Sequence, residues 1–74
     1  MKIYVLEYHE DYGARITRIF TIKQAAYLAL KKEFEKNNCC AGRVTEYESK
    51  KNGEFIESRI VYKQVNFKLV EINK

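Results

Sequence analysis

Only one segment of this chain repeats its apolar residues at helical spacing, and that limits what the rest can build. Thr21-Ile22-Lys23-Gln24 has the spelling of a capping box. In that arrangement the Thr21 hydroxyl accepts from the Gln24 backbone N–H, and the Gln24 side chain reaches back. At about 100° per residue, Ile22, Ala26, Ala29, Leu30 and Phe34 then share one face, with Tyr27 at its margin. The small alanines let such a helix lie close to a sheet. Lys31, Lys32, Glu35 and Lys36 point outward, and lysines near a C-terminus suit the helix dipole. The pattern predicts a helix from Thr21 to about Lys36, ended by Asn37-Asn38 and released by Gly42. Leu28 falls on the polar side, between Lys32 and Glu35. It reads either as an ordinary exposed apolar residue or as an anchor for a partner.

The other segments alternate or are rich in β-branched residues. Residues 2–9 predict a strand with Ile3 and Val5 on one face and Tyr4, Leu6 and Tyr8 on the other. Apolar residues on both faces place it inside a sheet. Glu10-Asp11-Tyr12-Gly13 reads as a turn, and residues 14–20 as the return strand. Residues 43–49 predict a third strand, and Asn52-Gly53 marks the sharpest hairpin turn in the chain. Residues 54–62 return, with Ile56, Ile60 and Tyr62 expected on one face. Residues 65–72 close the order, with Val65, Phe67 and Leu69 against Asn66, Lys68 and Val70. The expectation is an α+β fold, β-β-α-β-β-β, an antiparallel sheet with one helix packed on one face.

One helix cannot cover both faces of a sheet of four or five strands. Either one face stays wet or a second subunit covers it. The chain has 74 residues, room for a single domain over 1–74. A core of that size rarely supplies more than about 3–5 kcal/mol. Phe55, Val61, Val70 and Ile72 stand opposite other apolar residues in the pleat. A homodimer burying those second faces is therefore expected.

Composition excludes several classes. The hydrophobic fraction is 46% and the charged fraction 32%, which is globular rather than disordered. No apolar run approaches the roughly 18 residues of a membrane span, and Glu7 interrupts any signal-peptide core. No membrane contact and no cofactor are expected. The two cysteines are adjacent, Cys39-Cys40, which disfavours a disulfide between them and points to a reducing cytoplasm. The net charge of +4 is mild beside the basic stripes of dedicated nucleic-acid binders.

Catalytic patterns are thin. A zinc site needs three or four ligands at set spacings, and His9 is the single histidine. His9 with Glu7, Glu10 and Asp11 makes a loose acidic cluster whose ordinary reading is a solvated turn. Cys39 or Cys40 would need His9 beside it to act as a nucleophile, and nothing in the sequence places them together. Glu48-Ser49-Lys50, with Asp11 elsewhere, spells a metal-nuclease pattern but runs into the Asn52-Gly53 turn. No glycine nest precedes the helix to cradle a phosphate. No catalytic activity is expected.

Six tyrosines are many for this length. Tyr4 and Tyr8 share a face of the first strand, and Arg15 and Thr17 share a face of the second. If those faces coincide opposite the helix, the sheet presents tyrosine and arginine to solvent. Such a surface stacks nucleic-acid bases or anchors a protein interface. The ordinary alternative is tyrosines lining the border of a small core. The candidate partner-binding residues are Tyr4, Tyr8, Arg15, Arg18, Leu28 and Arg59.

In layout the chain resembles a diffuse group of small phage and prophage proteins. The resemblance rests on Met1-Lys2-Ile3-Tyr4-Val5, on Phe20-Thr21-Ile22-Lys23-Gln24-Ala25-Ala26, and on the closing Phe67-Lys68-Leu69-Val70-Glu71-Ile72. The second hairpin departs from it. The resemblance brings no catalytic residues and implies a small inhibitor of a bacterial host or anti-phage protein or nuclease complex. The leading expectation is thus a non-enzymatic binding protein with a bacterial protein partner. The alternative is a nucleic-acid-binding module using a Tyr/Arg sheet face.

Overall fold

The computed structural model describes residues 1–9, 15–35, 41–65 and 68–72. Five strands and one helix follow in the order β1 (Lys2–His9), β2 (Arg15–Phe20), α1 (Lys23–Glu35), β3 (Ala41–Ser49), β4 (Phe55–Val65) and β5 (Lys68–Glu71). The strands form one antiparallel sheet in the order β2-β1-β3-β4-β5. The expected α+β fold, with its helix on one face, is the one observed. β1 lies between β2 and β3, as its two apolar faces require. No helix among the described residues is long and apolar enough to cross a membrane.

The helix packs on the even-numbered face of β1. Leu6, Ala26, Leu30, Val44 and Val61 have no solvent exposure and form the core with Tyr8 and Tyr62. Tyr4, Ile16, Phe20, Tyr27, Ala29 and Leu69 border it. The Tyr27 and Tyr62 rings lie 4.6 Å apart between centroids, tilted by 39°. At the other end of the helix, Tyr8 Oη donates to Glu33 Oε1 at 3.0 Å.

The helix begins later than the capping-box spelling suggests. The Ala26 N–H donates to the Ile22 carbonyl at 3.3 Å, which makes Ile22 rather than Thr21 the residue at the N-cap. The one-residue offset turns Ile22 away from the core, and it is 63% exposed. Phe34 is half-buried rather than a core ring. Leu28 is 52% exposed, on the side the periodicity assigned to it.

The expected shared face of Ile56, Ile60 and Tyr62 does not form. The register of β4 against β3 skips Ser58 and Val61, so the pleat changes parity twice. Ile56, Arg59 and Tyr62 pair with Glu48, Glu46 and Val44 on the helix side. Glu57, Ile60 and Lys63 pair with Tyr47, Thr45 and Arg43 on the other side. Neither irregularity has a glycine or proline to announce it. β4 also runs on to Val65, beyond the expected end at Tyr62, and takes Val65 from the last strand. Phe67 lies outside the described residues, as do the Glu10–Gly13 turn and Cys39-Cys40.

The Asn52-Gly53 turn is present. Gly53 N–H donates to the Lys50 carbonyl at 3.0 Å, and Lys50 N–H to the Glu54 carbonyl at 2.6 Å. Asn52 Oδ1 accepts from the Glu54 N–H at 2.9 Å. This is a three-residue loop whose last member takes the left-handed conformation, with Gly53 at φ 87°.

Candidate functional site: the open face of the sheet

The odd-numbered side chains of β1 point away from the helix, and the strand register extends their rows across the sheet. Ile19, Val5, Thr45 and Ile60 form one row over β2, β1, β3 and β4. Ile3 and Tyr47 form a pair beside it. Thr45, at the centre, is 2% exposed, whereas Ile19 at the edge is 64% exposed. Val5, Ile3, Tyr47 and Ile60 are half-buried by their neighbours on the same face.

The next row changes chemistry. Thr17, Glu7, Arg43, Lys63 and Val70 stand in line from β2 to β5, with Arg15 opposite His9 behind them. The Glu7 carboxylate holds two cations. Arg15 Nη2 donates to Oε2, and Arg43 Nη2 to Oε1 at 3.4 Å. Glu7, His9, Arg15, Arg43 and Lys63, with Gly42 and Gln64, line a hollow of about 280 Å³. Three cations against one carboxylate leave it a surplus of positive charge. Gly42 is buried and brings no side chain into the hollow.

The structure separates the residues singled out from sequence. Tyr4 and Tyr8 lie beneath the helix, and Tyr8 is 6% exposed. Arg18 faces the helix side opposite Leu6, with its guanidinium 5.1 Å from the Phe20 ring centroid. Arg59 is also on the helix side, where it and Lys2 each approach Glu46 to 3.8 Å. Leu28 is on the outer surface of the helix. Only Arg15 reaches the open face. The Tyr/Arg platform on which the nucleic-acid alternative rested is therefore not assembled, because Tyr4 and Tyr8 flank Leu6 on the more apolar face of β1.

The residues that sequence reading passed over are Arg43, Lys63, Val5, Ile19 and Tyr47. Alternation in β1 placed Val5 beside Glu7, but only the cross-strand register shows that Arg43 and Lys63 join them. Glu48, Ser49 and Lys50 line a second hollow of about 430 Å³ at the far end of the β3–β4 hairpin, together with Ile56, Glu57 and Ser58. No group of three His, Cys, Asp or Glu side chains converges among the described residues. Compared with known proteins, the chain matches no family model, no curated protein and no solved structure.

Proposed function

We propose that this protein is a non-enzymatic binding protein that holds another macromolecule on the open face of its sheet. The observation that carries this reading is a sheet face that no described helix covers, on which an apolar row borders an arginine cluster. Partly exposed aliphatic and aromatic side chains with arginine beside them have the make-up of protein-interface anchors. In keeping with the phage-type resemblance, the partner is a bacterial cytoplasmic protein or nuclease complex and the consequence of binding is inhibition. Affinity capture from a bacterial lysate tests this. Ile19→Lys should abolish specific retention, and Leu28→Ala, on the outside of the helix, should leave it intact. Retention lost with Leu28→Ala instead would move the interface to the helix.

Nucleic acid is the second reading, favoured by the cationic hollow alone. It requires that log K fall with log salt by roughly 0.7–0.9 per phosphate neutralised. Fluorescence anisotropy with single- and double-stranded probes measures that slope, and no binding at low salt removes the reading. A second copy of the chain could also cover the open face. Light scattering across a concentration series distinguishes this case: a monomer mass at high micromolar concentration leaves the face to a different partner.

A further inference from the structure

We infer that the partner of the open face is a protein surface setting carboxylates beside aliphatic side chains, an inference that rests on the binding reading above. Two rows on neighbouring positions of the same strands carry it. The Ile19–Val5–Thr45–Ile60 row is apolar apart from the buried Thr45, and the Thr17–Glu7–Arg43–Lys63 row is charged. Rows two residues apart along a strand stand about 7 Å from each other. One strand or helix laid across the face can meet both.

The charged row is locally frustrated. Arg43 and Lys63 are directly opposite each other, and like charges in that position repel. Glu7 engages Arg15 and Arg43. Among the described residues Lys63 has no ion-pair partner. A carboxylate placed over the hollow would relieve the Arg43–Lys63 repulsion. It would also meet guanidinium forks that Glu7 already orients, and the fork geometry matches a carboxylate.

Two other occupants fit less well. A single-stranded nucleic acid needs aromatic faces for its bases. Tyr4, Tyr8, Tyr27 and Tyr62 are committed to the helix side, Tyr47 is the one tyrosine among the described residues on the open face and is half-buried, and the Glu7 carboxylate sits among the cations a phosphate would approach. A second copy would bring, from the described part of this face, Glu7, which is already engaged, and Glu57. That is too little acid for Arg15, Arg43 and Lys63 together.

NMR titration of the full chain tests the inference with defined probes at low salt. The probes are a short peptide alternating Leu and Glu, its Leu/Lys counterpart, and a short oligothymidine. The acidic peptide should shift the amides of Glu7, Thr17, Arg43 and Lys63 together with those of Val5 and Ile19. The basic peptide should shift none of them. Lys63→Glu should weaken the acidic peptide about tenfold or more without disturbing the fold, since Lys63 is exposed. Arg43→Glu should weaken it as well, with some loss of stability because the new carboxylate stands opposite Glu7. No binding of the acidic peptide, an affinity unmoved by both reversals, or tighter binding of the oligothymidine overturns the inference. In lysate capture, retention lost with Ile19→Lys but unchanged with Lys63→Glu removes this inference and keeps the broader reading. Retention unchanged by both substitutions removes the two together.

Discussion

On β1 the two faces of the sheet begin alike, with Tyr4 and Leu6 on one and Ile3 and Val5 on the other. They diverge at the next positions. Tyr8 continues the apolar run and ends buried under the helix, whereas Glu7 and His9 break it and stay at the surface. Each face also has a carboxylate between two cations. Glu46, on the helix side, has a side chain 5% exposed, near Lys2 and Arg59. Glu7, on the open side, is 18% exposed and holds Arg15 and Arg43. The helix settles where the longest uninterrupted apolar surface is, because each Å² removed from water contributes about 25 cal/mol. The other face keeps charges whose partners remain wet.

The strongest way to break this contrast is a matched pair of truncations. Leu30→Ala removes a fully buried side chain beneath the helix and should cost about 2–5 kcal/mol in urea denaturation. Ile19→Ala, on the open face, should stay within about 0.5 kcal/mol of the parent. Similar costs for the two would mean that the helix does not cover the face assigned to it.

The carboxylates sharpen the contrast at a smaller scale. Glu46→Gln should cost about 1 kcal/mol, since Lys2 and Arg59 are each more than a third exposed and water screens the pairs. Glu7→Gln should cost about half as much or less, and its effect should shrink further in high salt. A larger loss for Glu7→Gln would place the sheet's structural charge on the open side.

A third effect is confined to alkaline pH. Burial holds the Tyr62 hydroxyl above its ordinary value of 10.0, with the neighbouring Glu71 carboxylate and Tyr27 adding to it. A group whose folded value is raised stabilises the fold fully below the unfolded value of about 10. That contribution is lost as pH climbs through the folded value, because the unfolded chain gives up its proton first. Urea midpoints should therefore fall above about pH 10. Tyr62→Phe should flatten that part of the decline, and an unchanged slope would contradict the burial of its hydroxyl.

The smallest expected effect concerns the helix start. With Ile22 at the N-cap, Thr21→Ala should change stability by less than about 0.5 kcal/mol, rather than the roughly 1 kcal/mol of a lost cap. Thermal melts decide between the two values.

Much of the fold was legible in the chain. Helical spacing over Ala26, Ala29 and Leu30 marked the helix, although it also put Ile22 and Phe34 on the core face, where neither is buried; alternation marked β1, and Asn52-Gly53 marked the second hairpin. The candidate site was much less so. Arg15 was singled out for a platform with Tyr4 and Tyr8, yet β1 buries both tyrosines on the opposite side. Arg43 and Lys63 drew no attention because each is an ordinary charged residue within its own strand. Their meeting depends on which residue of β3 stands opposite which residue of β4, and two skipped residues in β4 decide that.

By itself the sequence determined the number and type of elements, because periodicity is a local property written in the order of apolar and polar residues. It also determined that one helix could not cover both sheet faces, leaving the second either wet or covered by another subunit, since a single helix is too narrow for so many strands. Only the tertiary structure decided which face that is and what gathers on it. Both faces of β1 carried apolar side chains, and the choice fell to the total area the helix could bury across four strands at once. Cross-strand register then assembled Glu7, Arg15, Arg43 and Lys63, residues up to fifty-six positions apart, through backbone hydrogen bonds that any residue can make and no side chain announces.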